Sequence, residues 1–580
     1  MSWWNANYGY RKKLTIDNLS QTDNDLIDFP LCIELRTSNF NFSNAQTRGQ
    51  DVRFVDSDDS TELKYDIEYY NSDDEEASIW VKVPTITKGS ATGFIYMYYG
   101  YADAADNQDT EAVWDSNHKL VMHMDRAYAL KGNGNSYYTS QATTTDFNFT
   151  DAITLEAWIM FDPVGDYRGI CGKQNTGTDT TQACYNLALM NTGDIRFVIG
   201  GVFTKDLDCN LQVAKWHHIV ATYDKSHACI YVDGSCEWDS TSYSDPIPTN
   251  TAQKFTTHVK MYGASRAGYF PGTISELRVW DKALSSSEVQ DLYDGNEVDR
   301  TDLYAEYNFT EGSGTTAADS SGNGRTLTLS DSAMWSCDFM LDVTSNKHKG
   351  TPYYISGGRA TGKVDGAKEL EGSPDKVKIG DEAGTTWNNL NFAKEDPITL
   401  EFWVKTSGDG WAGISKEVYS AFSRQGYCLG MGASQHHLSF AEAAAKTNNI
   451  ILVNGSTTID DGAWHHCIAT YDGSVDASGV TMFVDGGKET NSVVYNNLTT
   501  SISSGNWPLQ LGADENNENY LTGFLDEVRI SNVERTEDWC VANYLTQSNS
   551  SAGTNDFPTY GAEETPGDEL HYMMMQESAA

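Results

Sequence analysis

Apolar and polar residues alternate with a period of two along almost the whole chain. Segments such as RKKLTIDN, DVRFVD, ASIWVKVP and GFIYMYYG are rich in β-branched and aromatic side chains and end at Gly, Pro, Asn or Asp. They predict β-strands, and turn pairs such as Asp233-Gly234 between two apolar runs predict hairpins. Only short helices are expected, for example over LSSSEVQDLYDG. The pattern predicts an all-β protein.

Four motifs occur twice. AITLEAWIMF returns as PITLEFWVKT, WHHIVATYD as WHHCIATYD, IYVDG as MFVDG and GTISELRVWD as GFLDEVRISN. The offset is 245 residues from Glu156 to Glu401 and 248 residues from Trp216 to Trp464. A nearly constant offset predicts two copies of one domain with small differences in their loops.

The repeats set the domain boundaries that we expect. The segment YAEYNFTEGSGTTAADSSGNGRTLTLS, between the two copies, is predicted to open the second one. Residues before the repeats match neither copy, and the end of the chain is rich in Gly, Pro and acidic residues. The expected parts are an N-terminal β domain (1–118), two repeats (119–299 and 300–550) and an extended acidic C-terminal tail (551–580).

The doubled WHH motif suggests a metal site at first sight. Adjacent residues of a strand point to opposite faces, so His217 and His218 cannot together bind one ion. The period of two predicts that Trp216, His218 and Val220 face the core, with His217 on the other side. We therefore interpret the motif as a marker of the fold.

Acidic side chains outnumber basic ones by 82 to 40, which gives a formal net charge of −42. A field of that sign repels phosphate backbones and anionic membrane surfaces, so we expect no nucleic-acid partner. No run approaches the ~18 consecutive apolar residues of a membrane helix, so we expect no membrane insertion. The first residues, MSWWNANYGY, lack the apolar core of a secretory signal, and we expect a chain made without one.

Ten cysteines are too few for a disulfide framework in a chain of 580 residues. Cys229 and Cys236 flank the turn in CIYVDGSC and would lie diagonally on one face of a hairpin. The sequence leaves two alternatives open for this pair, a disulfide or two small buried thiols.

The repeated motifs LEAW, WHHIVATYD, VDG and GTISELRVWDKALSSSEVQDLY resemble those of the concanavalin A-like, laminin-G-type jelly roll. YNFTEGSGTTAADSSGNG is similar to the N-terminal strand and loop of that family. Residues 3–115, with WWNANYGYRKKLTIDN, DFPLCIEL and ASIWVKVPTI, resemble a small β-domain family of unknown function found before such jelly rolls in bacterial surface proteins and phage structural proteins. The resemblance implies an N-terminal β-sandwich-like domain followed by two jelly-roll β-sandwiches.

This resemblance implies a non-enzymatic protein of recognition or adhesion that contacts a surface glycan or a protein receptor. The N-terminal family and the missing leader favour a virion component, such as a tail fibre, a receptor-binding protein or a capsid decoration protein, assembled with other virion subunits. The alternatives are a microbial cell-surface adhesin or sheath subunit, located outside the cell, and an accessory module of a polysaccharide-degrading enzyme. Whether the chain forms a homo-oligomer stays open.

Some proteins of the same broad fold hydrolyse polysaccharides with carboxylates on one strand in an E-x-D-x-(x)-E pattern. Retaining chemistry of this kind needs two carboxyl groups ~5–5.5 Å apart. No predicted strand carries such a string, and the acidic segments DSDDSTE and ADENNENY look like loops. Glu156 and Glu401 stand alone before the Trp of each repeat, so we expect no catalytic residue.

Two Gly-rich loops favour calcium, because Ca²⁺ takes about six to eight oxygens from carboxylates, amides and backbone carbonyls. ADSSGNGRT offers Asp319 and Asn323, and LDVTSNKHKGT repeats the form with Asp342 and Asn346. In the fold resembled, such a loop lies near the strand of GFLDEVRI, so Asp526 or the glutamate after it could complete a site. Asp and Asn also favour turns without a metal, and this alternative stays open.

Glycan binding commonly uses an exposed aromatic face with amide and carboxylate groups beside it. Each loop aromatic could instead close the edge of the sandwich, and the sequence does not separate these roles. The candidates are Trp387, Trp411, Tyr419 and Tyr520 in the second repeat, and Tyr167 and Tyr269 in the first.

Overall fold

The computed structural model describes most of the chain, and strands dominate it, which confirms the predicted all-β class. Among the described residues no helix is long and apolar enough to span a membrane. The described residues are 3–20, 23–47, 49–72, 74–104, 106–124, 129–162, 167–174, 184–190, 193–209, 211–213, 216–262, 265–294, 298–309, 314–336, 340–346, 348–353, 359–364, 366–379, 390–408, 412–419, 424–432, 435–443, 449–499, 508–514, 519–548 and 557–566.

Three helices lie within these residues: α1 (Thr110–Val113), α2 (Ser286–Asp294) and α3 (Glu537–Ser548). The strands are β1 (Tyr10–Ile16), β2 (Leu26–Arg36), β3 (Arg53–Val55), β4 (Tyr65–Asn71), β5 (Glu76–Ile86), β6 (Gly93–Tyr99), β7 (His118–Met122), β8 (Ala129–Asn133), β9 (Thr139–Gln141), β10 (Ile153–Phe161), β11 (Arg168–Lys173), β12 (Tyr185–Leu189), β13 (Ile195–Ile199), β14 (Phe203–Leu207), β15 (His217–Tyr223), β16 (Ala228–Val232), β17 (Ser235–Ser240), β18 (Phe255–Thr257), β19 (Lys260–Tyr262), β20 (Ser265–Ala267), β21 (Pro271–Trp280), β22 (Leu303–Tyr307), β23 (Thr316–Ala317), β24 (Leu327–Leu329), β25 (Trp335–Ser336), β26 (Met340–Leu341), β27 (Lys349–Tyr353), β28 (Arg359–Thr361), β29 (Gly366–Glu371), β30 (Lys376–Ile379), β31 (Ile398–Thr406), β32 (Ala412–Tyr419), β33 (Arg424–Gly432), β34 (Gln435–Ala443), β35 (Ile450–Thr458), β36 (Trp464–Tyr471), β37 (Val480–Val484), β38 (Gly487–Lys488), β39 (Ser492–Asn496), β40 (Leu509–Leu511), β41 (Thr522–Ser531) and β42 (Thr559–Glu564).

The chain divides into two compact units. One consists of residues 126–340, and the other consists of residues 1–125 together with residues 341–580. The smaller unit therefore interrupts the chain of the larger one. Each unit contains one of the two repeats as a jelly roll, which we call the inserted jelly roll (in 126–340) and the split jelly roll (in the larger unit).

The inserted jelly roll stacks two antiparallel sheets. Its back sheet has the order β17-β16-β15-β10-β21-β8-β25, with β22 also paired to β21, and its front sheet has the order β14-β13-β12-β11-β18-β9-β24-β23. Alternate side chains of both sheets, such as Leu155 and Phe197, are buried between them. Val289 of α2 packs with Val220 and Trp280 on the other face of the back sheet, so both faces of that sheet are covered.

The split jelly roll repeats this arrangement. Its back sheet has the order β28-β29-β41-β31-β36-β37-β38, with β7 also paired to β41, and its front sheet has the order β26-β27-β30-β40-β32-β33-β34-β35-β39. Glu276 and Glu527 occupy the same β-bulge in the two copies, with positive φ angles of 43° and 48°. The predicted duplication therefore extends to a local irregularity of the backbone.

The division between the repeats differs from the predicted boundaries 119–299 and 300–550. The segment predicted to open the second repeat completes the first one instead, since β22 pairs with β21 and β24 pairs with β9. In the split jelly roll β7 takes the place of β22, with Met122 opposite Val528 of β41. Backbone pairing, and not sequence order, decides which copy an edge strand belongs to.

The N-terminal domain contains the sheets β3-β6-β1-β42 and β2-β5-β4 around a core that includes Phe29 and Phe54. Trp539 of α3 packs into this core. β42, from the predicted tail, is extended as expected and adds a strand to this domain, with Tyr560 opposite Leu14 of β1. The tail beyond residue 566 lies outside the described residues.

The WHH motif of the first repeat starts β15, beside β10 in the back sheet. Ile219 faces the core between the sheets, whereas Val220 packs under α2. The prediction that Trp216, His218 and Val220 face that core is therefore wrong about the side. Both faces of β15 are buried, so the period of two does not mark the inner one.

Candidate functional site

The two histidines of the WHH motif contact different carboxylates. His217 Nδ1 lies 3.0 Å from Asp233 Oδ2, and His218 Nε2 lies 3.2 Å from Glu156 Oε1. The split jelly roll repeats these contacts at 2.8 Å and 3.0 Å. The motif thus fixes the hairpin turn and the neighbouring strand, and the paired histidines do not converge on one ion.

The glutamate before the Trp of each repeat is buried in an ion pair. Arg278 Nη1 donates to Glu156 Oε1 at 2.7 Å, and Arg529 Nη1 donates to Glu401 Oε1 at 3.3 Å. Burial raises the pKa of each carboxyl, but the guanidinium and the histidine beside it outweigh burial and hold the pKa low, at about 2 for Glu401. These carboxylates are held as ionised structural groups.

Asp319 lies in the Gly-rich loop after β22, and both of its carboxylate oxygens accept N–H groups. Oδ1 accepts from the backbone of Glu306 and Ser321, each at 3.0 Å, and Oδ2 accepts from the backbone of Arg325 at 2.9 Å. Asn323 donates its amide to a backbone carbonyl of β22 at 3.0 Å. These hydrogen bonds attach the loop to β22.

Asp342 and Asn346 form the same arrangement in the split jelly roll. Asp342 Oδ1 accepts from the backbone N–H groups of Val121 and Thr344 at 3.0 Å, and Oδ2 lies 2.6 Å from His348 Nδ1. The Asn346 amide donates to two backbone carbonyls of β7, both at 3.3 Å. This loop is fastened to β7 as the first loop is to β22.

Asp526 also accepts backbone N–H groups, from Lys363 at 2.8 Å and from Val364 at 3.0 Å. Calcium needs carboxylate oxygens that converge on one point, and in all three predicted aspartates N–H groups occupy them. In this arrangement the predicted residues close loops. Calcium binding by the chain as a whole stays a prediction.

Only one of the aromatics predicted for the second repeat has a described side chain. Tyr520 is half-buried, with Lys376 Nζ 5.8 Å from its ring centroid. Trp387 and Trp411 lie outside the described residues, and Tyr419 is in β32 with a side chain outside them. The described residues therefore do not join the four predicted aromatics into one surface.

A row of small residues, five of the seven polar, crosses the outer face of the front sheet in the inserted jelly roll. Their neighbours along each strand face the core, so the row faces away from it. The ends of the row are exposed and its middle is buried. From β24 to β14, cross-strand pairing aligns Thr328, Ser140, Thr256, Gly172, Asn186, Val198 and Thr204, which we call the front row.

Tyr167 lies beside the front row in a polar cluster. Its hydroxyl donates to Asn186 Oδ1, and its ring centroid is 3.7 Å from Lys260 Nζ and 4.9 Å from the guanidinium carbon of Arg196. Arg196 Nη2 donates to Asp206 Oδ2 at 2.6 Å. Burial raises the pKa of Tyr167, so its hydroxyl keeps its proton at neutral pH. The cluster presents amide, hydroxyl, guanidinium and carboxylate groups together.

Tyr269, the other aromatic predicted for the first repeat, contacts Tyr138, with ring centroids 6.5 Å apart. Sequence reasoning named Tyr167 but missed its partners, which come from strands far apart in the sequence. Their signal was the polar positions between core residues in YNLAL, IRFVI and FTKDL. The missed residues are Asn186, Arg196, Asp206 and Lys260.

Comparison with protein families gives two matches. A family model described as the concanavalin A-like lectin/glucanases superfamily (Laminin_G_3) matches residues 132–290 and 379–539, which together are more than half of the chain. A second model, a domain of unknown function (DUF2341), matches residues 48–151. Both matches confirm the families that the motifs resemble. No curated protein matches the chain.

Several solved structures are similar to the chain at low identity. One is a putative carbohydrate-binding protein from Bacteroides ovatus, with 17% identity over 55% of this chain and 93% of that one and a TM-score of 0.30. Domains LG4-5 of the mouse laminin α1 chain match with 13% identity over 75% and 94% of the two chains and a TM-score of 0.24. CBM40 of the Ruminococcus gnavus IT-sialidase, bound to α2,3 sialyllactose, matches with 11% identity over 29% and 99% and a TM-score of 0.23. No ligand of the present chain follows from these similarities.

Proposed function

Since the chain belongs to the concanavalin A-like lectin/glucanases superfamily, we propose that it is a non-enzymatic recognition protein that binds a glycan on the front sheet of its inserted jelly roll. The observation that carries the proposal is the front row together with the polar cluster around Tyr167. A sugar ring holds its hydroxyls in fixed directions, and a sheet holds side chains at fixed spacing. Such a surface can match several hydroxyls at once.

The chemistry of the cluster suits sugar hydroxyls. Each hydroxyl both donates and accepts, and the cluster offers donors in Arg196 and Lys260 and an acceptor in Asp206, while the buried Asn186 holds the hydroxyl of Tyr167. Two cations lie against the ring of Tyr167. We therefore expect hydrogen bonds to dominate over stacking of a sugar on this aromatic ring.

Binding without hydrolysis is the activity that these carboxylates support. Glu156 and Glu401 are buried in ion pairs, and Asp206 is paired with Arg196. Retaining hydrolysis would need two carboxyl groups ~5–5.5 Å apart, one of them protonated as the acid. Ion-paired carboxylates are poor acids because the neighbouring cation favours their charged form.

A glycan array tests the proposal with the full chain and two matched variants. Arg196→Ala removes a guanidinium of the cluster, whereas Arg300→Ala removes one that pairs with Glu306 of β22, at 2.6 Å, away from the front sheet. We expect Arg196→Ala to weaken the binding of the selected glycan tenfold or more, which is about 1.4 kcal/mol, and Arg300→Ala to leave it unchanged. A wild-type chain that binds no glycan, or equal affinities in both variants, would contradict the proposal.

The same polysaccharides can be followed for new reducing ends, and we expect none to appear. Turnover that a single Glu→Gln change abolishes would favour the polysaccharide-degrading alternative. The virion location is a further proposal that the resemblance of the N-terminal domain supports. Mass spectrometry of purified virions tests it, and absence of the chain from particles would favour a cell-surface adhesin or sheath subunit.

A further inference from the structure

A hairpin at the edge of the inserted jelly roll brings together four side chains of the types that bind transition metals. In the pair β16 and β17, Cys229 lies opposite Asp239, and Tyr231 lies opposite Cys236. His227 precedes Cys229 by two residues, so both side chains lie on one face. β17 is the edge strand of the back sheet, and Cys236 and Asp239 are exposed, so solvent reaches this face along β17, whereas Cys229 is buried beside α2.

A β-bulge is what puts the two residues of β17 on the same face. Cys236 and Asp239 are three positions apart, and in a regular strand they would point to opposite sides. The pairing shifts between Ile230, opposite Trp238, and Tyr231, opposite Cys236, which leaves one extra residue in β17. A bulge of this kind re-aims the side chains after it.

The potential ligand atoms are close enough to share one ion. His227 Nε2 lies 2.5 Å from Asp239 Oδ1 and 3.5 Å from Cys229 Sγ. One ligand atom from each of these three residues lies within 4.8 Å of the others. The Cys236 thiol instead donates to the backbone carbonyl of Trp238 at 3.6 Å.

Cys229 and Cys236 are free thiols, and of the two buried thiols in the second alternative only Cys229 is buried, since Cys236 is exposed. Burial raises the pKa of the Cys229 thiol to about 11, which keeps its proton on at neutral pH when no cation is near. A metal ion binds the thiolate, so binding would release that proton to solvent.

We propose that His227, Cys229 and Asp239 bind a zinc ion through Nε2, Sγ and a carboxylate oxygen, with water in the fourth position. Zinc takes thiolate, imidazole and carboxylate ligands in a tetrahedral set of four, whereas calcium takes oxygen ligands. The ion would join β16 to the exposed edge strand β17 and keep that edge from pairing with other strands. The site is independent of the glycan-binding face.

Cobalt titration of the full chain, reduced and free of metal, tests this site. Co²⁺ occupies zinc sites, and a thiolate ligand gives it a sulfur-to-metal charge-transfer absorption band. We expect one equivalent of Co²⁺ to saturate the band, Zn²⁺ to displace it, and Cys229→Ser to abolish it. His227→Gln and Asp239→Asn change side chains that are 39% and 57% exposed, so these variants should fold, and each should weaken Co²⁺ binding tenfold or more.

Cys209→Ser is the matched control, because Cys209 is a half-buried free thiol of the same unit outside the hairpin. Its band and affinity should equal those of the wild-type chain. Absence of the band in the wild-type chain, its survival in Cys229→Ser, or its equal loss in Cys209→Ser would overturn the proposal. Peptide mapping before reduction that finds Cys229 joined to Cys236 by a disulfide would overturn it as well.

Discussion

The two jelly rolls share a fold but differ in how much of each front sheet solvent can reach. The front row of the inserted jelly roll ends in exposed threonines, Thr328 and Thr204. In the corresponding row of the split jelly roll, Leu452 of β35 is apolar and half-buried, and the five other described side chains are at most 8% exposed. Those side chains are Lys378, Gln510, Ser415, Cys428 and Ser439. Among the described residues, the front sheet of the inserted jelly roll is therefore the better candidate for binding a ligand.

The back sheets also differ in solvent exposure, and the inserted jelly roll is again the more exposed of the two. Arg278 in the inserted jelly roll has a side chain that is 16% exposed, whereas its counterpart Arg529 in the split jelly roll is 2% exposed. Trp80 of the N-terminal domain lies over Arg529, with the guanidinium carbon 4.4 Å from the ring centroid. The duplicated arginine therefore lies near the surface in the inserted jelly roll, whereas in the split jelly roll it is buried against the N-terminal domain.

A buried network of charged side chains also connects the split jelly roll to the N-terminal domain. Arg529 Nη2 donates to Glu527 Oε2 at 2.5 Å, and Glu527 Oε1 lies 2.6 Å from His123 Nδ1. His123 Nδ1 is also 3.2 Å from Glu68 of the N-terminal domain. Burial raises the pKa of Glu527, but His123 and Arg529 outweigh it and hold the pKa low, so the carboxylate is charged. The split jelly roll is therefore attached to the N-terminal domain through buried ionic contacts.

The largest expected effect comes from removing the two arginines in turn. Arg529→Met leaves Glu401 and Glu527 buried without their cation, which should destabilise the larger unit by about 3–5 kcal/mol. Arg278→Met also leaves a buried glutamate, Glu156, without this cation, but solvent reaches Arg278 more readily, and we expect the smaller unit to lose less, about 1.5–3 kcal/mol. Urea unfolding followed by hydrogen exchange, with peptides assigned to each unit, measures both values. Equal losses would mean that the N-terminal domain adds nothing at Arg529.

Substitution of the loop aspartates has a smaller expected effect, and it tests in each copy whether the carboxylate closes the loop or binds calcium. Asp319→Ala and Asp342→Ala each leave N–H groups without an acceptor, and we expect each to cost about 1–3 kcal/mol in its own unit. If the carboxylates only close loops, the losses are the same in Ca²⁺ and in EDTA. Thermal unfolding under both conditions measures them. A midpoint that Ca²⁺ raises in the wild-type chain but not in a variant would assign calcium to that loop, because a ligand of the folded state stabilises it.

The fold could be predicted from sequence because its signal is local and repeated. Strand periodicity, the doubled motifs and the turn pairs identified the class and the two copies. The sequence could not predict that β22 completes the inserted jelly roll and β7 the split one. Both strands carry similar apolar patterns, and only their pairing distinguishes them. The inner face of β15 was missed because α2 buries its outer face as well.

The candidate sites were predicted less well, since their residues meet only in three dimensions. The Gly-rich loops of Asp319 and Asp342 were predicted as calcium sites with a metal-free turn as the alternative, and in the structure the aspartates accept backbone N–H groups there. Arg196 and Asp206 looked like ordinary outward residues of two strands. The sequence pointed to Cys229 and Cys236, but the bulge that adds Asp239 to them leaves no recognisable sequence pattern.

The smallest expected effect concerns a core position that is a histidine in the split jelly roll and an isoleucine in the inserted one. His436 of the split jelly roll occupies the position of Ile195 in the inserted one, opposite Met431 and Leu189 respectively. Burial lowers the pKa of His436 to about 4, below the 6.5 of an unfolded histidine. As the pH falls from 6.5 towards 4, the unfolded chain therefore binds a proton that the folded chain does not, and stability is lost.

His436→Ile should remove this loss. Between pH 7.5 and pH 5.5 we expect the larger unit of the variant to lose about 1 kcal/mol less of its free energy of unfolding than the wild-type unit does. The smaller unit is an internal control, because its own buried His258, whose pKa burial also lowers to about 4, is unchanged. Urea unfolding at the two pH values measures both units in one sample. An unchanged pH dependence of the larger unit would show that His436 is charged, or reached by water, in the folded state.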